Sequence, residues 1–568
     1  MFDLIIAGGT IIDGTRGPRR KADVAVEHGR VRVLSPGTAA AAHDVLDATG
    51  LIVVPGFIDM HSHSDWCILY DPQAEARLTQ GVTTEVMGKC GYSAAPLGDP
   101  WLTWWWTPQD VPNDLGAPRG FGGAMRLNRA REVLRRSGIE ADWSDYRGYL
   151  DRLEAVRPGV NVLPAVGHNT IRTVVMGLDD RPPTREELER MQALVRDAME
   201  AGALAFSTGL AYTPGRFAST DEIETLCRVA AHYGAHYYTH IRSETDHLLD
   251  AIDEALGIAR RTGVRLEIAH LKALGVHNWG KIGEALGKIE SAWARGIPAG
   301  VDAYPYTVAG IMQNGLRSLL PSSLAALSPE EAFPLLDDET ARARAGIELE
   351  RLIANGDGDD RAWLRLAGGP GRIVLTRSEE PGHADLVGMH FEEIAASRHV
   401  APARAMIDVA WEARGRGSVV FHEMSEDDIN TAVRSTFVGV GSDGHVGLRQ
   451  ALPRWVLPHP RNYGTFPRVI AEYARDRGIL SMEDAIWKMT GLNAERMGLR
   501  DRGRVVDGGW ADLVIFDPET IDDRASYARP WATASGIRWV LVNGRVAVDH
   551  GRLTGVRAGR VLRRASAR

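Results

Sequence analysis

The 568-residue chain predicts an α/β protein: a (β/α)8 barrel with one small β domain assembled from both chain ends. Three observations predict it. The middle of the chain alternates short apolar runs with helical stretches, the rhythm of parallel strands joined by helical crossovers. The two ends are instead rich in short strands broken by glycine turns. Histidine, cysteine and aspartate recur where the middle strands end, and barrel active sites sit at the C-terminal ends of their strands.

Taken in order, strands are predicted over residues 4–7, 11–12, 23–26 and 30–34, punctuated by Gly-Gly, Asp-Gly and His-Gly. The apolar run 51–54 leads into Pro55-Gly56-Phe57-Ile58-Asp59-Met60-His61-Ser62-His63. It predicts a buried strand with two histidines at its end. Residues i and i+2 of a strand share a face, so His61 and His63 can reach one metal ion together. Further strands are predicted over 159–166, 203–206, 236–240, 265–270 and 298–302. The helices between them cover 184–202, 221–234, 248–263 and 281–296. Thr184 and Glu187 have the spacing of a capping box. Near the C-terminus, 512–517 and 539–542 read as strands, and Asn543-Gly544 as a hairpin turn.

This organisation places residues 1–55 and 491–568 in the β domain and 56–490 in the barrel. Two stretches break the barrel rhythm, at about 96–141 and 321–372. The first contains Trp101-Leu102-Thr103-Trp104-Trp105-Trp106, read either as part of a lid or as cover for apolar barrel surface or a subunit contact. The second is polar and helical, the texture of a small inserted subdomain.

Hydrophobic residues make up 44% and charged residues 25%, as in an ordinary globular protein. The formal net charge of -8 gives no support for nucleic-acid binding. The arginine-rich stretch 557–568 is expected to be a solvated terminus. Three cysteines, Cys67, Cys90 and Cys227, are too few and too odd for a disulfide framework and suit a reducing compartment. No signal peptide is read at the N-terminus, and no apolar run is long enough for a membrane span. A cytoplasmic protein is expected, with homo-oligomerisation left open.

The chemistry-bearing residues follow the strands. Cys90 comes after 83–89, His240 ends 236–240, His270 ends 266–270, and Asp443 lies in 438–444. With His61 and His63 they are predicted to converge on one face. Thiolate and imidazole ligands favour zinc, and an aspartate oxygen is compatible with it. Each residue alone has an ordinary reading, as a core cysteine, a hydrogen-bonded histidine or a turn aspartate. Six such coincidences at strand ends are harder to assign to packing.

On these segments the sequence resembles the amidohydrolase superfamily and, within it, the N-acyl-D-amino-acid deacylase (D-aminoacylase) family. The resemblance rests on Gly8 to Gly14, Pro55 to Asp65, Gly81 to Pro96, Gly167 to Arg172 and Gly202 to Gly215. It continues through Thr239 to Glu244, His270-Leu271-Lys272, Asp302 to Tyr306, Ser442-Asp443-Gly444, His459 to Phe466 and Asp501 to Pro518. It implies a deformed (β/α)8 TIM-like barrel with a small β-sandwich formed by both chain ends. Cys90 stands where many relatives have a carboxylated lysine. By resemblance, Cys90, His240 and His270 hold a tightly bound zinc, and His61, His63 and Asp443 form an adjoining, weaker site. Asp443 matches the catalytic acid/base. Lys272, Arg461 and Tyr304 or Tyr306 match positions that bind a substrate carboxylate.

The implied activity is zinc-dependent removal of the acyl group from an N-acyl-D-amino acid or a related N-acyl amide. A cyclic-amide hydrolase of hydantoinase or dihydropyrimidinase type is the alternative, and a non-catalytic scaffold a third. Three departures mark the specificity elements. The stretch 308–314 lacks the small hydroxyl residues expected after Tyr304-Pro305-Tyr306. The loop 444–460 is longer and carries a tryptophan, and the Trp-rich segment after Pro96 is extended.

Overall fold

The structure is a computed structural model that describes residues 1–98, 101–104, 123–126, 131, 135, 138–310, 313–325, 327–355, 362–446 and 457–564, with backbone alone at 101–104, 123–126, 355 and 362–363.

Eight parallel strands form the barrel: β1 (Phe57–Asp59), β2 (Val82–Met87), β3 (Asn161–Gly167), β4 (Ala205–Gly209), β5 (His236–His240), β6 (Arg265–Ile268), β7 (Ala299–Ala303) and β8 (Val438–Val440). Each pairs with the next in chain order. The ring is nearly closed by backbone bonds between the segments after β1 and β8. His63 N–H donates to Gly444 O at 2.7 Å, and Asp443 N–H to His61 O at 2.8 Å. Below them, the Asn493 amide donates to Ile58 O at 2.7 Å and Val440 O at 3.0 Å, clipping the two edge strands together.

The period-2 pattern of β5 shows how the sequence builds this wall. Tyr237 and Thr239 face the helices, where both hydrogen-bond Thr208 of β4. Tyr238 faces inward among Met60, Val86, Leu163 and Ala205. His240 shares that inward face and emerges at the mouth. The crossover helix Arg185–Ala201 starts at a capping box. Glu187 N–H donates to Thr184 Oγ1 at 3.2 Å, and Thr184 N–H to Glu187 Oε2 at 2.7 Å. It stops at Gly202, whose φ of 107° suits glycine.

The chain ends form two facing sheets. One orders Arg30–Leu34, Asp23–Glu27, Phe2–Ala7 and Ala42–Asp47. The other joins Leu513–Phe516, Ile537–Val542 and Arg545–Asp549 to Ile52–Pro55 and Thr10–Ile11. Ile6, Val24, Val53, Leu513 and Leu541 pack between the sheets. Asn543 and Gly544 have φ of 49° and 81°, as a type I′ hairpin turn requires. The run 51–54 therefore does not carry the histidines, contrary to the sequence reading. It belongs to the sandwich, pairing with Leu513–Phe516. Gly56 separates it from β1, and a side chain there would collide with Thr83.

Three further differences concern the connections. The insertion between β7 and β8 is larger than 321–372. Strands Asn314–Gly315, Ile373–Ser378 and Gly417–Phe421 pair antiparallel with one another, not with the barrel. They share a separate core with Leu349, Phe391 and Met406. The arginine-rich tail is docked, not solvated, as far as residue 564. Val561 bridges Val162 at the start of β3, and Arg563 pairs with Asp151 at 2.7 Å and Glu154 at 2.9 Å. Residues 517–536, between two sandwich strands, reach the barrel mouth, where the Tyr527 ring lies 5.2 Å from that of His459. The backbone of Trp101–Trp104 pairs with Gly123–Arg126. The tryptophan side chains of the lid prediction lie outside the described residues, as do Ile311, Met312 and 447–456.

Candidate metal centre

The segments that follow β1, β2, β6 and β8, together with the end of β5, bring His61, His63, Cys90, His240, His270 and Asp443 together at the C-terminal mouth. Three groups each place their donor atoms within 4.8 Å of one another: His61, Cys90 and His270; His61, His63 and Asp443; His240, Glu244 and His270. Cys90 Sγ lies 3.2 Å from His270 Nε2 and 3.3 Å from His61 Nε2. His240 Nδ1 is 2.9 Å from His270 Nε2, and His63 Nε2 is 3.0 Å from Asp443 Oδ1. His270 is common to the groups that contain Cys90 and His240, and His61 to those that contain Cys90 and Asp443, so the groups share ligands.

Three of these residues hold left-handed backbone conformations: Cys90 with φ 52°, His270 with 34° and Asp443 with 50°. Non-glycine residues avoid this region, and such strain concentrates at functional sites. Here it turns the side chains inward just beyond the strand ends.

The electrostatics suit a cation. Burial lowers the pKa of His61 to about 3, of His63 below its ordinary value, and of His240 well below it. These three imidazoles are therefore neutral, which is the ligating form. Burial pushes the Cys90 thiol up, and Asp443 adds to it. A bound cation reverses that balance by stabilising the thiolate. Burial also acts to raise the Asp443 carboxyl, but Arg461, His270 and His63 outweigh it and hold the group well below the carboxylate range. Imidazoles, a thiol and carboxylates gathered this closely fit zinc.

Two acids that the sequence reading left unassigned complete the centre. Asp302, near the end of β7, accepts His270 N–H at 2.9 Å and lies 3.3 Å from His61 Nδ1. Glu244 lies 3.0 Å from His270 Nδ1 and 2.6 Å from Lys272 Nζ. Carboxylates in such positions fix the tautomer and orientation of ligating histidines. Glu244 stands four residues after His240, a spacing that marks it only once the chain is known to turn back there.

The predicted carboxylate-binding residues separate. Arg461 is fully buried at the start of helix Arg461–Arg468. Its Nη2 lies 2.9 Å from Asp443 Oδ2 and its guanidinium 4.6 Å from the Tyr304 ring centre. Arg461 Nε and Nη1 and the Tyr304 hydroxyl are buried without a hydrogen-bond partner among the described residues. Lys272 Nζ is 5.7 Å from the same ring. Tyr306 points elsewhere, donating to Asp523 Oδ2 at 3.2 Å.

A barrel with its donors at the mouth defines a class of metal-dependent hydrolases, and the comparisons agree. The chain belongs to the amidohydrolase family, whose model matches residues 44–343 and 395–548. It is 36% identical over 566 residues to D-aminoacylase of Alcaligenes xylosoxydans xylosoxydans, covering 100% of this chain and 98% of that one. A solved D-aminoacylase, studied for the functional role of its binuclear metal centre, superposes with a TM-score of 0.73 at 34% identity, covering 99% and 100% of the two chains. The N-acyl-D-glutamate deacylase of Bordetella bronchiseptica, solved with zinc and a phosphonate mimic of the tetrahedral intermediate, gives 0.71 at 33% identity, covering 99% of each chain. Among the described residues, no helix is long and apolar enough to cross a membrane.

Proposed function

We propose that the protein is a zinc-dependent amide hydrolase that removes the acyl group from N-acyl-D-amino acids. The observation that carries the reading is the convergence of Cys90, four histidines and Asp443 at one barrel mouth, in a chain similar along its whole length to D-aminoacylase. Cys90, His240 and His270 would hold a tightly bound ion, and His61, His63 and Asp443 an adjoining weaker one. His61, near both Cys90 and Asp443, would stand between the two.

A zinc ion bound there supplies Lewis acidity that polarises the scissile carbonyl and acidifies a water. Asp443 takes the proton of the attacking water and returns it to the leaving amine nitrogen. Lys272 and Arg461 bind the substrate carboxylate, with the planar guanidinium able to grip it at two points. The Tyr304 hydroxyl adds a donor. A carboxylate on Arg461 also draws that cation away from Asp443, which raises the Asp443 pKa toward the range useful for a general base. Cytoplasmic residence belongs to the same reading, supported by three cysteines that are all free and buried.

The test is metal analysis of the purified protein together with a hydrolysis panel of N-acetyl-D- and N-acetyl-L-amino acids. Stoichiometric zinc and turnover of the D series are expected. Zinc without hydrolysis of any N-acyl amino acid would sink the reading.

A further inference from the structure

Glu423 lies beside the substrate-binding residues, and the metal centre makes no use of it. It sits in the extended stretch after Gly417–Phe421, which runs antiparallel to residues 307–309. His422 bridges Val308, and Met424 N–H donates to Thr307 O at 3.0 Å. The Glu423 carbonyl accepts Gly275 N–H and the Trp279 indole N–H, both at 2.9 Å. Those bonds press it against the loop that carries Lys272. Its carboxyl is 1% exposed and accepts Ala309 N–H at 3.2 Å.

The charged and titratable groups facing it are Lys272 from the loop after β6, Tyr304 from the end of β7 and Tyr527 from the 517–536 excursion. Lys272 is the cation among them, and Glu244 already engages it at 2.6 Å. Arg461 is likewise engaged by Asp443. A substrate that directs its amide to the metal centre and its α-carboxylate to Lys272 and Arg461 has its side chain left to meet the neighbouring wall. On the side of Ala309 that wall contains an acid, Glu423.

We propose that Glu423 sets side-chain specificity, admitting uncharged side chains and disfavouring N-acyl amino acids that carry a second carboxylate. The inference rests on the function proposed above and names its substrate class. Burial lifts the Glu423 carboxyl to about 8, against the opposing pull of Ala309 N–H and Lys272. Its negative charge therefore develops between pH 7 and 9, and the discrimination grows over the same interval.

N-acetyl-D-glutamine and N-acetyl-D-glutamate are near-isosteres that differ in one charge. The ratio of their kcat/KM values cancels every ionisation of the free enzyme that affects both alike. In the wild-type holoenzyme the ratio should favour glutamine, and it should rise at least about fivefold from pH 7 to pH 9, as a carboxyl with that pKa ionises. In Glu423→Gln and in Glu423→Met it should be independent of pH and shifted toward glutamate by about tenfold or more at pH 9, the size of one like-charge contact in a protein site. A wild-type ratio that is flat with pH, or that favours glutamate, overturns the inference and needs no variant. So does a pH dependence that survives in either folded, zinc-loaded variant. An enzyme that hydrolyses no N-acyl amino acid fails differently, by overturning the function beneath the inference and the inference with it.

Discussion

Arg461 Nη2 lies 2.9 Å from Asp443 Oδ2, and the pair is buried against the metal-ligand cluster. In the function proposed above, one guanidinium would serve two carboxylates in turn, that of Asp443 in the free protein and that of the substrate in the complex. On that reading, substrate recognition would be coupled to the proton affinity of Asp443.

Arg461→Met should therefore do two things. It should lower kcat/KM for N-acyl amino acids by about thirtyfold or more, because truncating one partner of a buried charge pair costs on the order of 2–5 kcal/mol. It should also move the acid limb of the pH profile upward. Arg461 is the largest influence lowering the Asp443 pKa against burial. Without it the carboxylate protonates at higher pH, and the active fraction falls sooner on acidification. Profiles of kcat/KM from pH 4 to 9 check this. An acid limb that stays in place would show that another group titrates there.

Asp443→Asn should separate chemistry from metal binding. The amide keeps an oxygen near His63 but cannot accept the proton of the attacking water. A fall in kcat of about 10²–10⁴ is expected, the usual range for a general acid/base. Cys90, His240 and His270 remain, so the tightly held zinc should stay. Metal analysis beside steady-state kinetics reads both outcomes. Near-normal kcat in a zinc-loaded variant would remove Asp443 from the mechanism.

Cys90→Ser tests the centre itself. A serine hydroxyl does not ionise at neutral pH as a metal-bound thiol does, so it is a poor substitute ligand. Loss of an outer partner of a metal ligand costs about 10–100-fold in affinity, and loss of the ligand should exceed that. Zinc competition against a chelator should show the difference, with activity lost in parallel. Retention of wild-type affinity would place the metal elsewhere.

The barrel was legible because its signals are local. Inward and outward residues alternate in 236–240, Thr184 and Glu187 cap one helix, and glycines end others. The strand-end ligands were legible for the same reason. Other features depend on which strand meets which. The run 51–54 looks like a barrel strand by composition, and only its pairing with Leu513–Phe516 assigns it to the sandwich. Strands Ile373–Ser378 and Gly417–Phe421 resemble barrel strands until they are seen paired with each other. Glu244 and Asp302 both meet His270, 26 and 32 residues away in the chain, a relation no spacing rule encodes. Charge misled at the tail, where Arg564 donates to backbone carbonyls under the barrel.

The last prediction concerns stability. Arg77 is fully buried below the metal centre, 2.8 Å from Glu85 and 3.7 Å from Asp59. Glu85 also accepts the hydroxyls of Ser62 and Ser64, which flank His63. Asp59 accepts His61 N–H at 3.1 Å and Ser442 N–H at 2.8 Å. The two acids thus tie the segments after β1 and β8 together, and Arg77 neutralises them. Arg77→Met should cost about 3–5 kcal/mol, because two buried carboxylates lose their counter-ion. The loss should depend on pH with a definite sign. Burial raises Asp59 to about 6, and Arg77 is the main influence lowering it. A carboxyl raised above its unfolded value contributes stability at low pH that is lost as pH rises through its folded pKa. Removing Arg77 lifts that pKa further, so the variant's deficit should be larger at pH 8 than at pH 5. Urea midpoints at the two values measure it. An equal deficit at both would mean that Arg77 acts there through packing alone.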